Sequence, residues 1–94
     1  MALGGRPYTD SSVKGNSFIR TFENTITQED CEWHRDSADR TVRVIEGKGW
    51  KFQKDGTLPF TIGPGSVINI KKEQYHRIIP GDTNLVVEIV ENGK

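Results

Sequence analysis

Four side chains in this sequence could do chemistry together: His34, Asp36 and Arg40 within one short stretch, and His76 far downstream. His34 and His76 are the only two histidines in the chain. In an extended segment alternate side chains share a face, so His34 and Asp36 project together, and Arg40, Val42 and Val44 do so in the strand that follows. Two imidazoles and one carboxylate are the donor set of a facial triad, which holds Fe(II) or Mn(II) with positions left open for substrate and oxygen. Arg40 brings different chemistry, five N–H donors with no lone pair and a permanent charge. Beside a divalent cation that charge is repulsive by about several kcal/mol even at an effective dielectric near 20. Arg40 must therefore turn away, pair with Asp36 or Asp39 in place of a metal, or take up an anion in its fork.

The elements that position these residues are short strands. The aliphatic set holds seven Val and nine Ile against three Leu, two Ala and one Met, and eight Thr push the same way. β-Branched side chains lose χ1 freedom on helices and pack well on a pleated surface. Apolar runs alternate with turn clusters such as Gly47-Lys48-Gly49, Lys54-Asp55-Gly56, Gly63-Pro64-Gly65 and Pro80-Gly81-Asp82. These place about eight strands, near residues 17–26, 30–36, 41–46, 50–54, 57–62, 66–71, 75–79 and 84–91. Residues 1–16 read as a loosely ordered arm with at most one short strand, and 17–94 as the folded domain. The tetrapeptide Thr27-Gln28-Glu29-Asp30 resembles a capping box, but no helical apolar stripe follows it. Eight short antiparallel strands bury their inner faces with few bare edges in a double-sheet jelly roll, and a different small barrel is the other option.

Length and charge limit the rest. Ninety-four residues make one domain. Thirteen basic and thirteen acidic side chains cancel, so no excess charge is available to hold a nucleic acid. No apolar run is long enough to span a membrane, and the N-terminus lacks a signal-peptide profile, which points to a soluble, cytoplasmic protein. One cysteine, Cys31, makes no intramolecular disulfide and belongs to no zinc pattern. So small a core suggests that a second copy covers an exposed sheet face, and a homodimer is expected.

At this point the sequence resembles the cupin superfamily. The first cupin motif runs His-x-His, then Glu, then Gly, and this chain has His34, Asp36, Arg40 and Gly47 at those intervals. The second opens with Pro-Gly and ends in His, matched by Pro64-Gly65 and His76. The resemblance covers roughly residues 17–91 and implies a double-stranded β-helix, the jelly roll already reached as one of two options. The stretch Trp33-His34-Arg35-Asp36, with Asp39-Arg40 and Val44-Ile45-Glu46-Gly47, is also similar to short cupins of tailed cyanobacterial phages.

The departures bear on the site. In metal-binding cupins the first motif supplies two His and a Glu and the second supplies a His; here Asp36 replaces the second His and Arg40 replaces the Glu. Lys71 stands for the usual Pro, Glu73 for the usual Gly, Gln28 for the opening Gly and Pro80 for the closing Asn. One reading is a metal-dependent enzyme acting on a small polar or anionic molecule, with His34, Asp36 and His76 holding Fe, Mn, Ni or Zn and Arg40 binding substrate. The other is a metal-free ligand-binding or interaction module with a remnant site. Among the remaining residues, Trp50 and Phe52 share a core face. Trp33 and Tyr75 point away from the histidines, Trp33 as a candidate dimer anchor; Glu46 is a rim charge, Cys31 is a buried or interfacial thiol with nothing to activate it, and residues 17–22 form an edge strand.

Overall fold

The computed structural model describes residues 8–92. Its strands are β1 (Tyr8–Lys14), β2 (Ser17–Phe22), β3 (Asp39–Glu46), β4 (Lys51–Lys54), β5 (Phe60–Thr61), β6 (Val67–Ile70), β7 (His76–Ile79) and β8 (Leu85–Asn92). A single 3-10 turn, Gln28–Asp30, is the one helical element among the described residues. No helix there is long and apolar enough to cross a membrane. Strands order as β1-β2-β8-β3-β6 in one sheet and β5-β4-β7 in the other. Every pairing is antiparallel. The protein is therefore an all-β double-sheet jelly roll, as the alternation of apolar runs and turns implies.

The core follows from period-two alternation. Leu85, Val87 and Ile89 point inward from β8 and are buried, meeting Val44 of β3, Ile68 and Ile70 of β6, and Trp50, Phe52 and Ile62 from the facing sheet. Burying each such side chain contributes about 1.5–3 kcal/mol. Trp50 is fully buried, and its indole N–H donates to the Thr83 carbonyl at 2.6 Å, so its one polar atom is satisfied. Both turn glycines of the motifs are conformational necessities. Gly47 has φ +150° and a Cβ there would lie 2.7 Å from Leu85 Cδ1, while Gly65 sits at φ +92°.

Two local expectations change. Residues 30–36 do not form a strand. The Asp30 carboxylate accepts from the Thr27 backbone N–H at 2.9 Å and its hydroxyl at 3.2 Å, closing the capping box over one 3-10 turn. The chain leaving that turn pairs only at His34. Residues 17–22 are not an edge either, because β1 adds outside β2 with Asp10 opposite Arg20 and Tyr8 opposite Phe22. Part of the expected N-terminal arm is thus a seven-residue strand of the larger sheet, and residues 1–7 lie outside the described part.

Candidate metal centre in the barrel interior

His34 and His76 meet through their backbones. The His34 N–H donates to the His76 carbonyl at 3.0 Å and the reverse bond is 2.9 Å, an isolated antiparallel bridge that ties the loop after the 3-10 turn to β7. The two rings consequently lie edge to face with centroids 4.3 Å apart. His76 is buried and stacks near Phe52, whereas His34 is exposed at the rim. Each imidazole meets the carbonyl two residues before it: Nδ1 of His34 is 3.2 Å from the Glu32 carbonyl oxygen, and Nδ1 of His76 is 2.8 Å from that of Gln74. With the proton on Nδ1 donated to these carbonyls, both Nε2 lone pairs are left for the interior. Burial lowers the pKa of His76; the Gln74 hydrogen bond opposes that shift, His34 reinforces it, and Asp36 and Arg40 add opposing charge effects.

Asp36 joins them, and the ligand atoms of His34, Asp36 and His76 all lie within 4.8 Å of one another. The backbone holding Asp36 is strained in a useful place. Its carbonyl accepts the Glu73 N–H at 2.7 Å, and Glu73 adopts φ +64°, the left-handed conformation that explains why glycine is usual at that point of the pattern. Asp36 Oδ1 forms an ion pair with Arg40 Nη1 at 3.2 Å. Asp36 Oδ2 is buried with no hydrogen-bond partner and stands 3.4 Å from His76 Nε2.

Arg40 is already engaged on its other edge, where Nε and Nη2 donate to Glu91 Oε2 at 3.0 and 2.7 Å. Asp39 is not its partner, since that carboxylate instead caps the Lys72 N–H at 2.8 Å. One guanidinium thus sits between two carboxylates, and the Asp36–Arg40–Glu91 group carries one net negative charge when ionised.

These residues occupy one end of a cavity of about 470 Å³ whose wall includes Val42 of β3, Ile68 and Ile70 of β6, and Val87 and Ile89 of β8. A second arginine lines it. Arg20, nine-tenths buried, points inward from β2 between Phe18 and Phe22, lies 3.6 Å over the Tyr8 ring, and donates Nε and Nη2 to the Asp10 carboxylate at 2.8 and 3.0 Å. Cys31 also lines the cavity, and burial, helped by Asp30, pushes its thiol up to about 11. It is an inert thiol, as expected. Trp33 and Tyr75 point outward, under the guanidiniums of Arg77 and Arg35 at 4.6 and 5.3 Å.

Sequence reasoning missed Glu91, Arg20 and Asp10. The signal for two of them lies in the alternation: Glu91 continues the inward series Leu85-Val87-Ile89, and Arg20 interrupts Phe18-x-Phe22.

The barrel has the cupin fold, with the histidines of both motifs brought together, His76 buried and His34 at the rim. Among solved structures, the chain is similar to DMSP lyase DddQ from Ruegeria pomeroyi DSS-3 (TM-score 0.72, 15% identity, covering 83% of this chain and 38% of that one). It is also similar to a cupin-2 domain containing protein from Shewanella frigidimarina (TM-score 0.66, 15% identity, 96% and 85%). A third is HppE with FeII and substrate (TM-score 0.65, 11% identity, 89% and 52%). The chain spans well under two thirds of the first of these. No family model and no curated protein matches the sequence.

Proposed function

We propose that this barrel is a divalent-metal centre with His34, Asp36 and His76 as its protein ligands, acting on a small polar or anionic molecule that enters the cavity. One observation carries the reading: Asp36 Oδ2 is buried, has no hydrogen-bond partner and faces His76 Nε2 at 3.4 Å. An unsatisfied buried carboxylate oxygen opposite an imidazole lone pair is costly unless a cation or proton lies between them, and burial works against protonating His76. The backbone carbonyls on both Nδ1 atoms supply the outer support that metal-bound histidines have. Fe, Mn, Ni or Zn would fit this donor set, and such an ion would supply Lewis-acid chemistry there. The protein's own part is to orient both imidazoles through their Nδ1 contacts, to keep His76 from protonating by burial, and to fix Asp36 through Arg40 and the Glu73 N–H. The negative charge left by Asp36, Arg40 and Glu91 favours a dication. The FeII in HppE supports this reading only as chemistry carried on the same fold.

A second reading rests on the 3.2 Å contact from Arg40 Nη1 to Asp36 Oδ1, which lets a guanidinium provide the counter-charge in a metal-free ligand-binding module. Elemental analysis separates the two. Protein purified without an affinity tag, incubated with Fe(II), Mn(II), Ni(II) or Zn(II) and gel-filtered, should retain about one ion per chain, and Asp36→Ala and His76→Ala should lose it. Wild-type protein that retains none of the four leaves the metal-free module.

A further inference from the structure

The two buried arginines of the cavity use their guanidiniums alike on one edge and differently on the other. Arg40 donates Nε and Nη2 to Glu91 and sets Nη1 in an ion pair with Asp36, so both its edges meet carboxylates. Arg20 gives Nε and Nη2 to Asp10, but its Nη1 has no hydrogen-bond or ion-pair partner among the described residues. Its side chain is only 10% exposed and lines the cavity, so an open pair of charged donors faces an interior space. We infer that Arg20, not Arg40, anchors the ligand, and that the ligand is a small carboxylate with an apolar body.

Three features fix that class. A carboxylate meets the free edge of a guanidinium whose other edge holds Asp10, the same two-carboxylate arrangement that Arg40 already shows. The Tyr8 ring at 3.6 Å holds the guanidinium plane, so little side-chain entropy is lost on binding. Between the two arginines the cavity wall includes Val42, Ile68 and Ile89, which offer nothing polar to the middle of a ligand. The ends are also set apart. Arg20 pairs with Val87 and Arg40 with Glu91 on β8, four residues or about 13 Å of strand. Both guanidiniums lean toward Phe18, at 5.2 and 6.0 Å from its ring. A ligand held at Arg20 therefore directs its far end toward His34, Asp36 and His76. The anchoring itself is independent of any metal; only the role of the far end rests on the function proposed above.

The test uses hexanoate, with 1-hexanol as its uncharged counterpart, followed by NMR on metal-free protein. Hexanoate should shift the Arg20 Nε–H resonance and the Ile methyls of the cavity, and 1-hexanol should bind more weakly. Arg20→Gln should weaken hexanoate about tenfold or more while leaving 1-hexanol unchanged, the loss expected for one charge-assisted contact. Because Arg20→Gln removes the charge that pairs with Asp10, the paired variant Asp10→Asn/Arg20→Gln, whose two amides can bond each other, is measured beside it and should show the same loss. Hexanoate that produces no shift up to about 20 mM, weaker than any useful anchor, overturns the inference. So does hexanoate binding that survives both Arg20 variants but is lost in Arg40→Gln. Metal retention is read separately on the same preparations, so failure of the metal centre and failure of the anchor appear as different results.

Discussion

The two ends of the cavity are built from the same parts and do different work. At one end Arg40 sits between Asp36 and Glu91, and its charge is consumed in holding a carboxylate beside two imidazoles. At the other, Arg20 meets one carboxylate on an edge strand and a tyrosine ring, and keeps a donor edge open. What separates them is the count of acids within reach rather than depth, since both guanidiniums are largely buried. An arginine enclosed by acids acts as a structural counter-ion; one with an open edge can recognise a ligand.

The largest expected effect comes from exchanging these roles. Arg40→Gln removes the only cation between Asp36 and Glu91 and should destabilise the metal-free protein by about 3 kcal/mol, against about half of that for Arg20→Gln, whose Asp10 can turn to solvent. Urea unfolding of both variants checks the order. Added Mn(II) should restore much of the loss in Arg40→Gln and none in Arg20→Gln, and equal losses with no metal rescue would erase the contrast between the ends. A smaller effect concerns acid. The lowered pKa of His76 means that the unfolded chain binds its proton more readily than the folded one. Stability from this group is present above about pH 6.5 and falls as pH drops below it toward the folded value. Thermal melting between pH 7.5 and 5, run on wild type and His76→Phe, should show a slope in the first that is reduced in the second. Smallest is the backbone. Glu73→Gly relieves the left-handed strain at a cost in unfolded-chain entropy and in the exposed Arg35 ion pair at 3.3 Å. A net change between zero and about 1 kcal/mol in favour of the variant should result, with no change in metal retention if Asp36 keeps its place.

Much of this was readable along the chain. The Val and Ile excess and the Gly and Pro clusters mark an all-β barrel, and the spacings His34, Asp36, Arg40, Gly47 and Pro64-Gly65, His76 mark two motifs. Period-two alternation puts Trp50 and Phe52 on one inward face and turns Tyr75 away from His76, because side-chain direction within an extended segment is a local property. The same reasoning fails at 30–36, where a capping-box turn shortens the extended run, and at β2, whose edge position depends on whether β1 adds outside it. Asp36 still converges with the histidines because a single bridge, His34 to His76, does the work a whole strand was expected to do.

The sequence by itself determined which side chains carry charge, which positions alternate inward, and where only glycine can turn, as at Gly47 and Gly65. Only the tertiary structure decided which acids each arginine meets, because Arg40 reaches Glu91 through the β3–β8 pairing and Arg20 reaches Asp10 through β1–β2. Strand order sets those neighbours over separations that no local pattern encodes. An arginine's chemistry depends on how many of its donors those neighbours leave free.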